Sequence, residues 1–462
     1  MTDSLMILGS VWNVVWTVLC FLFAIAILIA VHEYGHFITA RLCGVKVLRF
    51  SLGFGKVLCS FKDRRGTEWS LSLIPLGGYV QMLDSTEGEV KEEELEHEFN
   101  FQPVWKRFLI VFMGPFFNIV LALAVYWLMF MIGVPGLRPA VTDIAPGSPA
   151  AAAGIENRDL FLRVDGEEVR TWQDTIFRLV EHIGERGVPV TVQKDLGRGG
   201  VHEARLNLSD WVLDRQNLKP LSAIGITPYV GDVTDKVAFV AGGSGAEVAG
   251  IKTGDRLLSL NGKPYKDWNS FTSEVRGMAP GSYADTEILR DGKKISLRVL
   301  IKDREDEGKR VGYFGVAPAI DRNDSLLITA KYGPLESVGM SFRKTGEVLE
   351  FTWVTLGKLV TGSIPVNNIS GPIAVARGAG ETANMGVVYF LSFLGIISVN
   401  LGIVNLIPLP VLDGGHLLFY AIEAVFRRPV PEKVQRYLMS FGIAVLVLLT
   451  VFTVFNDIVY WN

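Results

Sequence analysis

Apolar residues fall along this chain in two patterns, long unbroken runs and short alternations. No Asp, Glu, Lys, Arg or His lies between Asp3 and His32, between Arg107 and Arg138, between Glu381 and Asp413, or between Arg436 and Asp457. Each gap holds the roughly 20 apolar residues that a helix needs to cross a bilayer. The pattern predicts four transmembrane helices, over Val14–Val31, Phe108–Gly133, Met385–Ile407 and Tyr437–Phe455. The first run has no basic leader and exceeds a signal peptide's apolar stretch, so it is expected to remain as a helix. From Val47, "VLRFSLGFGKVLCSFKDRRGTEWSLSLIPLGGYVQM" alternates around a polar turn and predicts a β-hairpin. Its apolar surface exceeds what a cytosolic loop needs. A re-entrant position is therefore expected, with its edges covered by protein or by a water-filled cavity. From Gly333, "GPLESVGMSFRKTGEVLEFTWVTLGKLVTG" reads as an amphipathic helix, lying on the outer membrane surface or packed against the domains before it. The acidic run Glu87–Glu98 reads as a solvated loop or helix.

Charge sets the orientation. The amino-terminal tail and the tail after Asp457 carry no Lys or Arg, whereas His32–Arg107 carries ten and Arg427, Arg428, Lys433 and Arg436 crowd the last link. Basic loops stay in the cytosol, so both termini and the polar stretch from Arg138 to about Glu381 are expected outside. The net charge of −3 leaves no footprint for nucleic acid. Cys20, Cys43 and Cys59 all precede the external stretch and form no CxxC pair, so neither a disulfide framework nor a cysteine metal site is expected. "GFGK" lacks the spacing of a phosphate loop.

The external stretch contains a duplication. "VTDIAPGSPAAAAGIENRDLFLRVDGEEVRTW" from Val141 aligns without a gap to "VAFVAGGSGAEVAGIKTGDRLLSLNGKPYKDW" from Val237. Each copy predicts a strand, a short helix at the small-residue run and a strand pair around "DG" or "NG". "IGITP" at Ile224 and "FGVAP" at Phe314 predict a closing strand in each. The "AGI…GD" pattern followed by "DG" or "NG" resembles tandem PDZ domains of the circularly permuted bacterial kind. Arg158 stands where Gly254 stands in the second copy, and arginine resists the left-handed backbone that glycine adopts there. The first copy's turn is therefore expected to differ. PDZ domains commonly bind peptide carboxyl termini by strand addition; a spacer or filter without ligand is the alternative.

The chemistry lies at the end of the first apolar run, in "LIAVHEYGHFITA". Residues i and i+4 share a helix face, so His32 and His36 present two imidazoles to one point with Glu33 beside them. This is the arrangement of zinc peptidases in which the glutamate is general base. Ionisable groups in a membrane helix are costly and mark function. A catalytic zinc takes a third protein ligand and keeps one open position. Helix one and helix three both run inward, so Asp413 in "NLIPLPVLDGGH" arrives at the depth of the two histidines. His416 is a rival ligand and Asp84 a weaker one.

"HEYGH", "GPFFN" from Gly114 and "NLIPLPVLDGG" from Asn405, placed around tandem PDZ domains, resemble the site-2 protease family of intramembrane zinc metalloproteases over essentially the whole chain. The resemblance implies one Zn2+ held by His32, His36 and Asp413, with Glu33 as catalytic base. It associates the Asn405 position with substrate handling. Asn118, Gly77, Gly78 and Tyr79 are further expected to handle substrate, the last three on a hairpin edge that would take an extended strand; the alternative for Asn118 and Asn405 is a buried amide satisfied by a neighbouring helix. Implied partners are membrane lipid and single-span membrane proteins, namely an anti-sigma factor already trimmed outside and remnant signal peptides. The implied location is the bacterial inner membrane, with both termini and the PDZ domains periplasmic and the active site near the cytosolic face. A silent membrane PDZ receptor or a metal-ion transporter would use some of the same features. The intact "HEYGH" and Asp413 argue against the first, and the lack of inverted repeats among the membrane helices argues against the second.

The expected fold is thus a polytopic α-helical membrane protein with a re-entrant β-hairpin and two external α+β domains. Its divisions are a first helix with the HExxH motif (1–37), the cytosolic hairpin segment (38–104), helix two (105–137) and PDZ-like domains over 138–222 and 223–320. Amphipathic linker helices (321–384), helix three with the LDG motif (385–416), and a cytosolic link with helix four (417–462) complete it.

Overall fold

The computed structural model describes residues 2–85, 90–211, 220–306, 309–321, 323–361 and 371–459. The first three residues of the acidic run, and parts of the linker at 322 and 362–370, lie outside the described residues. The chain divides into two compact units, one of 1–134 with 331–462 and one of 135–330.

The first unit is built from α1 (Thr2–Leu42), β1 (Val47–Lys62), β2 (Glu68–Met82), α2 (Val104–Ile132), α3 (Pro334–Val360), α4 (Pro372–Met385), α5 (Val387–Asn405), α6 (Asp413–Phe426) and α7 (Glu432–Val459). Among the described residues, four stretches are long and apolar enough to cross a membrane: Trp12–Leu42, Val104–Ile132, Val387–Asn405 and Glu432–Val459. Phe23, Phe441 and Leu448 are exposed on them, as suits helices whose solvent is hydrocarbon and whose backbone bonds are all internal. Small residues bring the backbones together. A Cβ on Gly35 of α1 would lie 2.3 Å from the Met113 carbonyl of α2, and one on Gly395 of α5 would lie 2.6 Å from the Tyr126 ring.

Two helix ends differ from expectation. Helix one does not finish at "HEYGH" but continues to Leu42, so His32, Glu33 and His36 sit inside it. No proline follows the motif to stop it. The third predicted helix ends at Asn405, and a new helix, α6, starts at Asp413. Pro408 and Pro410 supply no N–H and restrict the residues before them, so the chain between the helices is a turn. Gly414 and Gly415 let that turn close. A Cβ on either would lie 2.3 Å from the Ile407 carbonyl and 2.4 Å from the Leu409 carbonyl, respectively. The amphipathic α3 stands along the bundle against α2 and α5. Thr352 Oγ1 donates to Asn400 Oδ1 at 2.7 Å, and Trp127 Nε1 donates to the Pro334 carbonyl at 3.0 Å.

The predicted hairpin is present and bent on itself. Phe61 pairs with Trp69 and Lys62 with Glu68 around the turn. Phe50 pairs with both Val80 and Trp69, and Ser51 with both Tyr79 and Ser70. Residues 49–52 therefore lie between the two halves of β2, and the strands bend near Gly53–Gly55 and Gly77–Gly78. Arg41 at the end of α1 holds the turn through Asp63. Burial opposes ionisation of Asp63. Hydrogen bonds from Arg41, Trp69 and the backbone of Arg65 and Thr67 nevertheless hold its pKa down at about 2.

In the second unit the repeat is visible element by element. The short helices Pro149–Ala152 and Gly245–Val248 begin on Ser148 and Ser244, whose hydroxyls cap them. The strands Leu160–Val164 and Arg256–Leu260 and the helices Trp172–Glu181 and Trp268–Gly277 follow at matching positions. The closing strands Ile226–Pro228 and Val316–Asp321 pair antiparallel with Val141–Ile144 and Asp232–Val240. Arg158 adopts φ 69° beside the 95° of Gly254, so the first copy keeps the turn that its arginine had put in doubt. The same bond closes both turns. Arg158 N donates to the Val141 carbonyl and Gly254 N to the Val237 carbonyl, each at 2.8 Å.

Candidate active site

One helix turn of α1 carries His32, Glu33 and His36; both histidines are buried and Glu33 is half-buried. Asp413 reaches them as the first residue of α6. That helix is tied to the base of α2 by Arg107, which donates to Glu423 at 2.7 Å and lies 5.1 Å over the Tyr420 ring. His32 Nε2 and His36 Nε2 are 3.2 Å apart, and Asp413 Oδ2 is 3.2 and 3.5 Å from them. Zinc ligands held tetrahedrally at about 2.0–2.1 Å lie about 3.3 Å from one another, so this triangle has the size of one face of such a site. Asp413 Oδ2 is buried and accepts no hydrogen bond among the described residues. Three donor atoms with lone pairs facing one point would repel unless a cation lies between them. Among the described residues, this is the one group of three or more His, Cys, Asp or Glu side chains close enough to hold a metal ion. His416 and Asp84, the rival ligands, are outside it.

The chain's length is matched by a model of peptidase family M50 over residues 20–449. The chain belongs to peptidase family M50. It is similar to the regulator of sigma-E protease RseP of Escherichia coli (strain K12), 42% identical over 443 residues covering 96% of this chain and 98% of that protein. It is similar also to protease RseP of Yersinia pestis, 43% identical over 448 residues covering 96% of this chain and 99% of that one. This M50 chain is thus a membrane metalloprotease of the site-2 type.

The surroundings of the M50 site hold its side chains in place. Nδ1 of His36 lies 2.9 Å from the Ile110 carbonyl. A carbonyl only accepts, so the ring proton is on Nδ1 and the Nε2 lone pair is free for a metal. Asn118 is fully buried with its amide nitrogen Nδ2 3.1 Å from His32 Nδ1. Gly114 leaves room for His36, since a Cβ there would lie 2.2 Å from Nε2. Gly78 of the sheet abuts Glu33, since its Cβ would lie 3.0 Å from the Glu33 Cγ. Gly77 instead accommodates the Phe54 ring, which stacks on Tyr79 at 6.2 Å; the Tyr79 hydroxyl accepts from Arg49 at 3.3 Å. Asn405 is half-buried at the end of α5, and its side chain makes no hydrogen bond among the described residues.

Of the residues expected to handle substrate, then, Gly78 and Asn118 lie against the catalytic motif. Gly77 and Tyr79 support the bend of the sheet. Sequence reasoning missed Gly114 as the residue that makes space for His36. "GPFFN" signalled it only as a motif, because the distance between two helices is not written in either one.

Proposed function

We propose that this protease cleaves peptide bonds within the membrane-spanning segments of single-span proteins, using one Zn2+ held by His32, His36 and Asp413, with Glu33 as general base. The observation that carries this reading is the close triangle of two imidazole nitrogens and a buried carboxylate oxygen. Zinc bound there supplies a Lewis acid that activates water and polarises the scissile carbonyl. Glu33 takes the proton of the attacking water on a carboxylate oxygen and passes it to the leaving amine nitrogen as the C–N bond breaks. His36, fixed by the Ile110 carbonyl, presents Nε2 without a proton of its own.

A membrane helix must be unwound before its amides are accessible. Residues 78–82 pair with 47–52 on one side and leave the other side without a strand among the described residues. An unwound substrate segment added there would keep its amides hydrogen-bonded beside Glu33. This supports a re-entrant role for the sheet and substrate handling by Gly77, Gly78 and Tyr79. Asn405 at the turn before Asp413 is a further position for substrate contact.

The names of the relatives, which regulate sigma-E, support a trimmed anti-sigma factor as substrate, with signal-peptide remnants as a second class. In this reading the enzyme lies in the inner membrane with its termini and duplicated domains outside. Those PDZ-like domains act first as a size filter and second as a receptor for carboxyl termini. The test of the chemistry is Glu33→Gln, assayed for zinc content and for cleavage of a membrane-spanning substrate on one preparation. Zinc should stay bound and cleavage fall by at least about 100-fold, the contribution of a positioned base. Retained cleavage would remove Glu33 from that role.

A further inference from the structure

We propose that Asn118 is a positioning residue for His32: its amide oxygen accepts the Nδ1 proton of that ring and so frees Nε2 for the metal. The inference rests on the zinc reading above. His32 and His36 face the same point through Nε2, so both need their ring proton on Nδ1. For His36 the Ile110 carbonyl at 2.9 Å imposes that tautomer. For His32 the polar atom facing Nδ1 is the Asn118 amide nitrogen Nδ2, at 3.1 Å, so the proposed contact is reached by turning that amide over. With the amide nitrogen on that side, Asn118 would donate into Nδ1 and force the ring proton onto Nε2, between the imidazole of His36 and the carboxylate of Asp413. With the oxygen on that side, Asn118 does for His32 what the Ile110 carbonyl does for His36.

The two orientations differ by a half-turn of the amide, whose oxygen and nitrogen are nearly equal in size. Nothing opposes the half-turn from the other end, because Asn118 Oδ1 has no hydrogen-bond partner among the described residues. The residue itself is held firmly. Its side chain is 0% exposed. Ser398 of α5 donates to its backbone carbonyl at 2.7 Å. Asn118 cannot contact substrate from this position without leaving His32, which separates this role from substrate handling.

The test uses the full-length protein in detergent, with zinc competed against a chelator of known affinity. Two variants are compared, Asn118→Leu, which has no acceptor, and Asn118→Asp, whose carboxylate only accepts at neutral pH. Asn118→Leu should bind zinc about 10- to 100-fold more weakly, the usual effect of losing an outer-shell partner. Loaded with excess zinc, it should show an unchanged KM. Asn118→Asp should bind zinc at least as tightly as the parent. Unchanged zinc affinity in Asn118→Leu with a raised KM would overturn the proposal in favour of substrate contact. A tenfold or greater loss in Asn118→Asp would overturn it too, since the required acceptor is still there. That variant decides the matter if Asn118→Leu does not fold. Failure of the parent protein itself to bind zinc would instead refute the metal reading.

Discussion

A methyl group on Gly114 would meet His36 Nε2 at 2.2 Å, and one on Gly78 would meet the Glu33 Cγ at 3.0 Å. The two glycines thus guard different halves of the chemistry. Gly114→Ala must push the imidazole aside or part α1 from α2, because atoms that close overlap. It should lower zinc affinity at least tenfold, read by chelator competition. Gly78→Ala should leave zinc bound and lower kcat, because its Cβ would crowd the Ser51 carbonyl at 2.8 Å and the base, and not the ligands. If both lose zinc alike, the sheet supports the metal and the division between the two sites fails. Asp63 gives a pH dependence at the same scale. Its carboxyl is held at about 2, below the ordinary 3.8. The stability it lends is therefore complete above about pH 4 and is lost as the pH falls through 2. With partial exposure screening the charge, this is about 1–2 kcal/mol. Hydrogen exchange of the Thr67 amide, which donates to Asp63 at 3.1 Å, should be slow at pH 5 and lose protection toward pH 2. Asp63→Asn should remove most of that change.

Among the elements, the turn at Arg158 shows local preference being overruled. A non-glycine residue in the left-handed region costs about 1–2 kcal/mol, yet the turn must close there for Val141 to receive its bond. The arginine is partly compensated by Asp195, to which Nε donates at 3.2 Å. That pair is exposed and contributes well under 1 kcal/mol. Arg158→Gly should therefore stabilise the first copy by about 0.5–1 kcal/mol. Hydrogen exchange of the Leu196 amide, which donates to the Arg158 carbonyl at 2.7 Å, should slow by a few-fold. Faster exchange would show that the ion pair outweighs the strain. Another element-scale feature is the buried Asp255, whose two oxygens each accept from Arg290 at 2.7 Å. Burial pushes that carboxyl up, and the arginine holds it below its ordinary value.

At the scale of the whole molecule, the prediction concerns the duplicated domains. They follow α2 directly in sequence, and in the proposed orientation they stand outside while cleavage occurs near the inner face. A substrate with a bulky outer domain would have to pass them; a short stub would not. Replacing residues 140–319 by a flexible linker should permit cleavage of untrimmed substrates and leave trimmed ones susceptible. If cleavage of trimmed substrates falls instead, the domains recruit by binding. A variant that inserts and binds zinc yet still rejects untrimmed substrates would refute the filter.

Periodic features were legible in the sequence because they are local. Four charge-free gaps of spanning length, two histidines on one helix face, a hairpin around "KDRRG" and a gapless duplication each depend on neighbours along the chain. The choice of Asp413 over His416 and Asp84 as the group nearest the two histidines required the turn through Pro408 and Pro410 and the close packing of Gly414 and Gly415. The contact of Asn118 with His32, the space that Gly114 leaves for His36 and the folding of the hairpin over residues 49–52 likewise depend on backbones meeting across the bundle. Burial of those approaches is a property of the packed helices together. A helix's own sequence encodes its face and its length; where that face's lone pairs converge with another helix's was decided only by the tertiary structure.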